Sequence, residues 1–301
     1  MTSILGDPKT VGELVAWARR SLDTAGTANV AQEALWLLAS VLEMEHHALA
    51  SRTEQPVTVE QLACAKTLVA RRMAREPLQY ILGTQEFCGL DFAVNSSVLI
   101  PRPETELLVH AVLKEGGLAE GATLVDVGTG TGCIAVTLAT ILDGVRILAI
   151  DCSAEALGVA KSNAIRHGVG EKIDWMEGDL LAPLRDRNLI GTVDVIVSNP
   201  PYIAEGEWEQ LQPEVRIFEP RVALFAGQKG TEFHERLFRD CKEFLVPDGL
   251  LVMEIGQGQL PLVRQTVDQV GGYAGLQTIK DEAGIERVMI ARRTGSVSRH
   301  G

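Results

Sequence analysis

The chain has 301 residues, of which 46% are apolar and 23% charged, so it can bury a large core and exceeds the usual size of one domain. Its net charge of −12, without any basic block, disfavours sequence-independent binding to nucleic acid, which needs clustered Lys and Arg. No apolar run approaches the roughly 20 residues of a membrane span, and the N-terminus lacks the features of a signal peptide. We therefore expect a cytoplasmic protein with two domains.

The cysteines and histidines form no recognisable metal-binding motif. Cys64, Cys88, Cys133, Cys152 and Cys241 are scattered, odd in number and include no CxxC pair, a pattern that indicates reduced thiols. The six histidines show no HExxH spacing, which a helical zinc site would require. The sequence therefore predicts neither disulfides nor a bound metal.

The first part of the chain has the patterning of a small helical bundle. TVGE at 10–13 and TVEQ at 58–61 are helix-opening patterns followed by apolar residues at helical spacing, and NVAQEALWLLASVL between them carries another apolar face. Arg71, Arg72 and Arg75 also lie at helical spacing. We interpret them as a solvated helix face, with docking of a protein partner as the alternative. The predicted helical domain spans residues 1–76.

A linker is predicted at residues 77–103. Leu90, Phe92 and Val94 alternate with polar residues after a Cys-Gly pair, which indicates a short β-hairpin. The following IPRPE can continue neither a strand nor a helix, because its prolines lack backbone donors.

Strands and helices then alternate in the predicted catalytic domain, residues 104–293. This alternation is typical of an α/β fold with a mostly parallel sheet and helices on both faces. LQTIKD and ERVMIARR are predicted to form an antiparallel closing pair, and residues 294–301 a disordered tail. The predicted parallel strands lie at 123–127, 147–150, 173–176, 193–198 and 250–255.

A glycine-rich loop follows the first of these strands. After Asp126 come Gly128, Gly130 and Gly132 in LVDVGTGTGCIAVTLA, and such glycines let a ligand approach the N-terminus of the next helix. The spacing is GxGxG, because the dinucleotide fingerprint GxGxxG would need glycine at Cys133. A methyl-donor site, another nucleotide site and a structural turn all remain open on this motif alone.

A second motif, NPPY, ends the strand VDVIVS. Two consecutive prolines cannot belong to a central ladder, and the carboxyl end of a strand in an open α/β sheet is where ligands bind. The side-chain oxygen of Asn199 and the carbonyl of Pro200 can accept the two N–H bonds of a planar amide or amine. Pro201 keeps the turn rigid, and Tyr202 can pack on the planar group. The alternative is a rigid turn without a ligand.

The ordered motifs together resemble the release factor glutamine N5-methyltransferase family (PrmC/HemK). They are the helical bundle, PLQYILG, DVGTGTG, NPPYI, FEPRVALFAG and PDGLLVMEIGQGQ, and the similarity covers residues 10–293. The resemblance implies a class I fold dependent on S-adenosyl-L-methionine (SAM), Rossmann-like with a mostly parallel seven-stranded sheet. It further implies methylation of the glutamine amide in the Gly-Gly-Gln motif of bacterial-type peptide chain release factors, which modulates translation termination, with S-adenosyl-L-homocysteine as product.

The resemblance also implies roles for particular residues. The N-terminal domain would recognise the substrate, and Asn199 and Pro200 would be catalytic. Asn199, Pro200, Pro201 and Tyr202 would hold the glutamine. In RPETE, residues 102–104 would lie over the cofactor, and Thr105 and Glu106 would help to close the site. The stretch at 203–231 is long enough to be a functional loop, with no role assigned to its residues. The cofactor residues would be Gly128, Thr129, Gly130, Thr131 and Gly132 at the methionine part, Asp151 at the ribose, Asp179 and Leu180 at the adenine, and Asn199.

Three other functions stay open from the sequence. A glutamine methyltransferase of a ribosomal protein shares NPPY, and a non-catalytic SAM-binding protein would share the glycine loop. A DNA adenine methyltransferase is disfavoured, because the sequence shows no basic stripe and no target-recognition domain. We expect a monomer that binds neither DNA nor a membrane.

Overall fold

The structure is a computed structural model that describes residues 7–295. The described chain divides into two compact units, the first containing residues 7–83 and 212–218, and the second residues 84–211 and 219–295. The first unit thus includes residues 77–83, which the sequence assigned to the linker, as well as a short segment from after NPPY. Of the predicted disordered tail, residues 296–301 lie outside the described residues.

The first unit is a helical bundle. Its first and third helices begin where the sequence predicts, because Thr10 accepts a bond from the amide of Glu13, and Thr58 and Gln61 form a complete capping box. The apolar faces of three helices meet in a core that includes Leu14, Leu37 and Val69. The α-helices are α1 (Val11–Thr24), α2 (Val30–Leu42), α3 (Val59–Met73), α4 (Leu78–Leu82) and α9 (Pro213–Phe218).

A buried ion cluster joins three of these helices. Arg72 is only 4% exposed, and its guanidinium donates to both carboxylate oxygens of Glu33 on α2, at 2.8 and 3.1 Å, and to Glu214 on α9 at 3.1 Å. Arg75 donates to the other oxygen of Glu214 at 2.8 Å. The interpretation of these arginines as a solvated helix face is therefore wrong for Arg72. Its partner Glu214 lies 142 residues away, so helical spacing could not reveal the pair.

The second unit is an α/β domain that opens with a hairpin. Residues 84–93 form two antiparallel strands, and strands and helices alternate after them. Its strands and α-helices are β1 (Thr84–Phe87), β2 (Leu90–Ala93), α5 (Glu106–Glu115), β3 (Thr123–Val127), α6 (Cys133–Ile141), β4 (Arg146–Asp151), α7 (Ala154–Arg166), β5 (Ile173–Glu177), α8 (Ala182–Arg185), β6 (Val193–Ser198), β7 (Ile203–Ala204), β8 (Phe225–Gly227), α10 (Glu232–Phe244), β9 (Leu245–Glu254), α11 (Leu260–Val270), β10 (Tyr273–Lys280) and β11 (Glu286–Arg293).

Seven of these strands form one sheet in the order β10-β11-β9-β6-β3-β4-β5. The five from β9 to β5 are parallel, and β11 pairs antiparallel with both β9 and β10. The predicted α/β fold, with a mostly parallel seven-stranded sheet and an antiparallel closing pair, is thereby confirmed. Successive residues of β3 face opposite sides, with Leu124 in a core shared with α5, α6 and α7, and Val125 in a core shared with α10 and α11.

The strand order reverses between β3 and β6. The chain runs from β3 outward to β4 and β5, whereas β6 lies on the other side of β3 and leads to β9. Such a switch point leaves a crevice outside the carboxyl ends of the two strands. Val127 at the end of β3 is in register with Ser198 at the end of β6, so the glycine loop and NPPY begin side by side. Within residues 7–295, no helix combines the length and the apolar content that crossing a membrane requires.

We expect Arg72→Met to lower the free energy of unfolding of the helical unit by about 3–5 kcal/mol, because it leaves two largely buried carboxylates without their cation. Arg71→Met is the matched control, since the Arg71–Glu76 pair is 40% and 19% exposed and is worth less than about 1 kcal/mol. Hydrogen exchange of α2 and α3 amides, followed by mass spectrometry, measures both. Equal effects of the two substitutions would contradict the importance of the buried cluster.

Candidate functional site

A cavity of about 250 Å³ lies at the switch point. Most of the predicted site residues line it, and they come from the ends of β3, β4, β5 and β6. Among the described residues, Gly132, Pro200 and Tyr202 are the predicted ones that are not part of this lining. The predicted residues that do line it are Gly128, Thr129, Gly130, Thr131, Asp151, Asp179, Leu180, Asn199 and Pro201.

The three glycines of the loop are required for different reasons. Gly128 and Gly130 have φ angles of +74° and +55°, and a Cβ atom on Gly130 would meet nothing within 4 Å. The left-handed backbone at both positions favours glycine, and the Cβ side is open at Gly130. Gly132 has φ +79°, and a Cβ there would lie 3.1 Å from the Cβ of Ala160. Its second role is thus close packing of α6 on α7.

The loop is held by backbone bonds and two carboxylates. The amides of Gly128 and Thr129 both donate to the carbonyl of Ile150, at 2.8 and 2.9 Å, and the amide of Gly130 donates to Oδ2 of Asp151 at 2.8 Å. Fully buried Asp126 accepts a 2.7 Å bond from the Thr129 hydroxyl. Burial raises the pKa of Asp126 to about 7, and burial also raises the pKa of Asp151, against the lowering effect of its amide donors.

Asn163 on α7 is a supporting residue that the sequence analysis missed. It is fully buried, and its Nδ2 donates to the carbonyls of Thr131 at 2.9 Å and Ala93 at 3.1 Å, while its Oδ1 accepts from the Ala93 amide at 2.8 Å. The side chain thereby fixes the second half of the glycine loop to strand β2. The signal in the sequence that could have revealed it was an asparagine among the apolar residues of one helix face.

Asp179 and Leu180 line another part of the cavity. Asp179 is exposed and pairs with Arg236 at 2.5 Å, an arrangement that contributes little to stability at the surface. Leu180 has a φ of +49° and packs against the core beneath the sheet. The chain turns away from β5 at Leu180, and the left-handed backbone there sets the position of this apolar side chain.

Asn199 is oriented by a chain of hydrogen bonds. Its Nδ2 donates to Oγ1 of Thr105 at 3.0 Å, and the Thr105 hydroxyl donates to Oε2 of Glu254 at 2.7 Å. When Glu254 is ionised, the hydroxyl proton of Thr105 is used on the carboxylate, so Thr105 accepts from Asn199 and the amide nitrogen lies on that side. The Asn199 side-chain oxygen is consequently the end available to a ligand.

Glu254 is the buried anchor of this chain. It ends β9 at the same edge of the sheet, is 1% exposed, and also accepts a 3.3 Å bond from the hydroxyl of Tyr202. Burial raises the pKa of Glu254 to about 7, although the bonds from Thr105 and Tyr202 lower it. Burial and the nearby Glu254 raise the pKa of Tyr202. The sequence analysis missed Glu254. The signal that could have revealed it is an acidic residue at the end of an otherwise apolar strand.

A second buried carboxylate shapes the wall of the cavity. Glu219 accepts a 2.5 Å bond from Arg102 and a 3.3 Å bond from the amide of Ile100, and burial raises its pKa. Arg102 lines the cavity, as do Pro220 and Val222 from the loop at 203–231. That loop has structure of its own, because β7 and β8 within it pair in parallel. Glu219 therefore fixes two walls of the cavity to each other.

Glu254→Gln should change the pH dependence of stability. Since the pKa of Glu254 is raised from 4.5 to about 7, the folded state retains a proton between these values that the unfolded state has released. The free energy of unfolding therefore falls as pH rises through this window and levels off above about pH 7. In the variant this fall should be smaller by about 3 kcal/mol, while Asp126 contributes equally to both proteins.

Chemical denaturation at about pH 5 and about pH 8 measures the difference. The matched control is Glu282→Gln, at an exposed acid, which should keep the wild-type fall. A Glu254→Gln curve parallel to that of the wild type would show that Glu254 does not take up a proton in this range.

Comparison with known proteins gives two matching domain families. Residues 13–83 match the PrmC N-terminal domain, and residues 103–219 match the methyltransferase small domain. A release factor glutamine methyltransferase from Geobacter sulfurreducens is 42% identical over 283 residues, covering 94% of this chain and 96% of the relative. One from Chlorobaculum tepidum is 40% identical, covering 83% of this chain and 86% of the relative.

Solved structures share the fold at low sequence identity. The catalytic domain of hMettl16 in complex with a 3'UTR hairpin has a TM-score of 0.56 at 18% identity, covering 83% of this chain and 85% of that one. A methyltransferase from Pyrococcus furiosus has a TM-score of 0.50 at 19% identity, covering 77% and 98%. These similarities support the methyltransferase fold and carry no information about the substrate.

Proposed function

The chain belongs to the release factor glutamine methyltransferase family, and we propose that it transfers the methyl group of SAM to a glutamine of a protein. The acceptor is the side-chain amide of the glutamine in the Gly-Gly-Gln motif of a peptide chain release factor, and S-adenosyl-L-homocysteine is the second product. The reaction takes place in the cytoplasm on a monomeric enzyme. The observation that carries the proposal is the Asn199 amide in the cavity lining, with its nitrogen fixed by Thr105.

The residues around the cavity suit SAM. Gly128 and Gly130 leave room beside the backbone for the methionine part, and Thr129 and Thr131 complete that loop. The carboxylate of Asp151 is an acceptor of the kind that ribose hydroxyls need, and Asp179 and Leu180 would border the adenine. Gly132 would act indirectly, through the packing of α6 on α7. When bound, SAM supplies a sulfonium methyl group with a good leaving group.

An amide nitrogen is a poor nucleophile, because its lone pair is delocalised into the carbonyl. The side-chain oxygen of Asn199 and the carbonyl of Pro200 would accept the two N–H groups of the glutamine amide and hold its nitrogen in one orientation. The new N–C bond forms as the C–S bond breaks, and one proton of the amide then leaves to water. Pro201 and Tyr202 keep the acceptors rigid, and Tyr202 is itself held by Glu254.

The decisive experiment is incubation with a purified release factor and SAM, followed by mass spectrometry of the peptide that contains Gly-Gly-Gln. We expect the mass of one methyl group on that glutamine, and none on a release factor in which it is replaced by alanine. An unmodified release factor would overturn the proposal. Methylation of a ribosomal protein in a parallel incubation, with the release factor unmodified, would assign the alternative substrate.

Asn199→Ala should lower turnover by at least about 100-fold, the scale on which one preorganised polar contact acts. Calorimetry should show that SAM still binds, because the glycine loop and Asp151 are unchanged. Near-normal turnover in this variant would refute the role assigned to Asn199.

Thr105→Val should lower kcat by about tenfold or more, because Asn199 loses the acceptor that fixes its amide. Thr105→Ser restores the hydroxyl and should recover most of the rate. Thr105 also lines the cavity, so KM for SAM is measured as well, and a role in positioning Asn199 predicts that kcat changes more than KM in Thr105→Val. A normal kcat in Thr105→Val would show that this bond does not position Asn199. The same conclusion would follow if kcat of Thr105→Ser were no higher than kcat of Thr105→Val.

A further inference from the structure

Three metal-ligating side chains converge outside the cavity lining. The thiol of Cys88, the carboxylate of Glu106 and the imidazole of His110 offer ligand atoms that all lie within 4.8 Å of one another. A tetrahedral zinc site with zinc–ligand distances of about 2.0–2.3 Å places its ligand atoms within the same limit. Cys88 and Glu106 are half-buried and His110 is exposed, so an ion can enter from the surface.

The fold holds these residues together through two elements. Glu106 and His110 are four residues apart on α5 and therefore lie on the same helix face. Cys88 lies in the turn between β1 and β2, and its backbone amide donates to Oε1 of Glu106 at 2.8 Å. This bond already orients the carboxylate, in the way that outer contacts orient metal ligands.

Cys88 is held in a tight turn. Phe87 pairs with Leu90, so Cys88 and Gly89 form a two-residue turn with φ angles of +50° and +77°. Such turns strongly favour Asn, Asp or Gly at the first position. A left-handed conformation is uncommon for cysteine, and it fixes the position of the thiol in the turn.

We infer that Cys88, Glu106 and His110 form a zinc site with a water molecule as the fourth ligand. Thiolate and imidazole donors favour zinc over Mg²⁺ or Ca²⁺, which prefer oxygen ligands. On binding, the Cys88 thiol gives its proton to solvent as the Zn–S bond forms, and the neutral imidazole coordinates through one ring nitrogen. Sequence spacing did not predict the site, because Cys88 precedes Glu106 by 18 residues and belongs to no known metal-binding motif.

Zinc at this position would fix the start of α5 to the β-hairpin. Glu106 directly follows Thr105, which accepts the bond from Asn199, so the metal would steady the segment that orients the asparagine. The inference does not depend on the proposed methyl transfer, because metal binding and thermal stability can be measured without substrate.

The test uses full-length, untagged protein treated with a chelator and titrated with Co²⁺ as a spectroscopic probe. Wild-type protein should bind one equivalent with a thiolate-to-cobalt charge-transfer band, and Zn²⁺ should displace the cobalt. Cys88→Ala should abolish the band, and His110→Ala should weaken zinc binding at least tenfold. Cys64→Ala is the matched control, since it removes an exposed thiol from the helical unit and should leave the band unchanged.

Glu106→Gln separates coordination from folding, because the glutamine oxygen can still accept the bond from the Cys88 amide while the charge is lost. It should keep the melting temperature of the metal-free protein and lose at least tenfold in zinc affinity. Zinc should raise the melting temperature of the wild type and not that of Cys88→Ala. A wild-type protein without the charge-transfer band, or stoichiometric binding that survives Cys88→Ala, would overturn the inference.

Discussion

The parallel pairing of β3 with β6 is the constraint on which the site depends. This pairing puts Val127 beside Ser198, and the Ser198 hydroxyl donates to the Val127 carbonyl at 2.7 Å. The two strands lead outward to opposite halves of the sheet, and such a switch point leaves a crevice where both end. The glycine loop, which suits a nucleotide-like ligand, therefore starts beside NPPY, which carries the rigid pair of acceptors. A one-residue shift of this register would separate them.

Buried carboxylates hold the neighbouring glycine loop and NPPY segment in a fixed geometry. Asp126 holds Thr129 in the glycine loop, and Glu254 accepts from both Tyr202 and Thr105, the second of which accepts in turn from Asn199. Burying a carboxylate is unfavourable unless it is hydrogen-bonded, and burial raises the pKa of both acids. Burial of these two carboxylates therefore lowers the stability of the folded state near neutral pH, while it orients the neutral amide of Asn199. This is the pattern expected where function, rather than packing, selects the residue.

The sequence predicted those parts of the site that are local in the chain. The glycine spacing, the acid that ends β4 and the NPPY turn each show their chemistry within a few residues, and alternating apolar segments were sufficient for the sheet. The contacts between distant partners were missed, because pattern alone does not say which polar side chains become buried together. Thr105 and Glu254 are separated by 149 residues. Arg72 was misinterpreted for the same reason, since its carboxylate partners lie on other helices.

The chain that follows NPPY is fixed at two points by buried ion pairs. It leaves the α/β unit after Leu211 and returns to it at Glu219. Between these points Glu214 is held by Arg72 and Arg75, and at the point of return Glu219 is held by Arg102. Replacing buried ion pairs by apolar residues is often neutral or stabilising, so their presence argues for a specified conformation rather than for stability. Pro220 and Val222 follow Glu219 closely and line the cavity, so the pair of Glu219 with Arg102 specifies the path of the backbone at this wall.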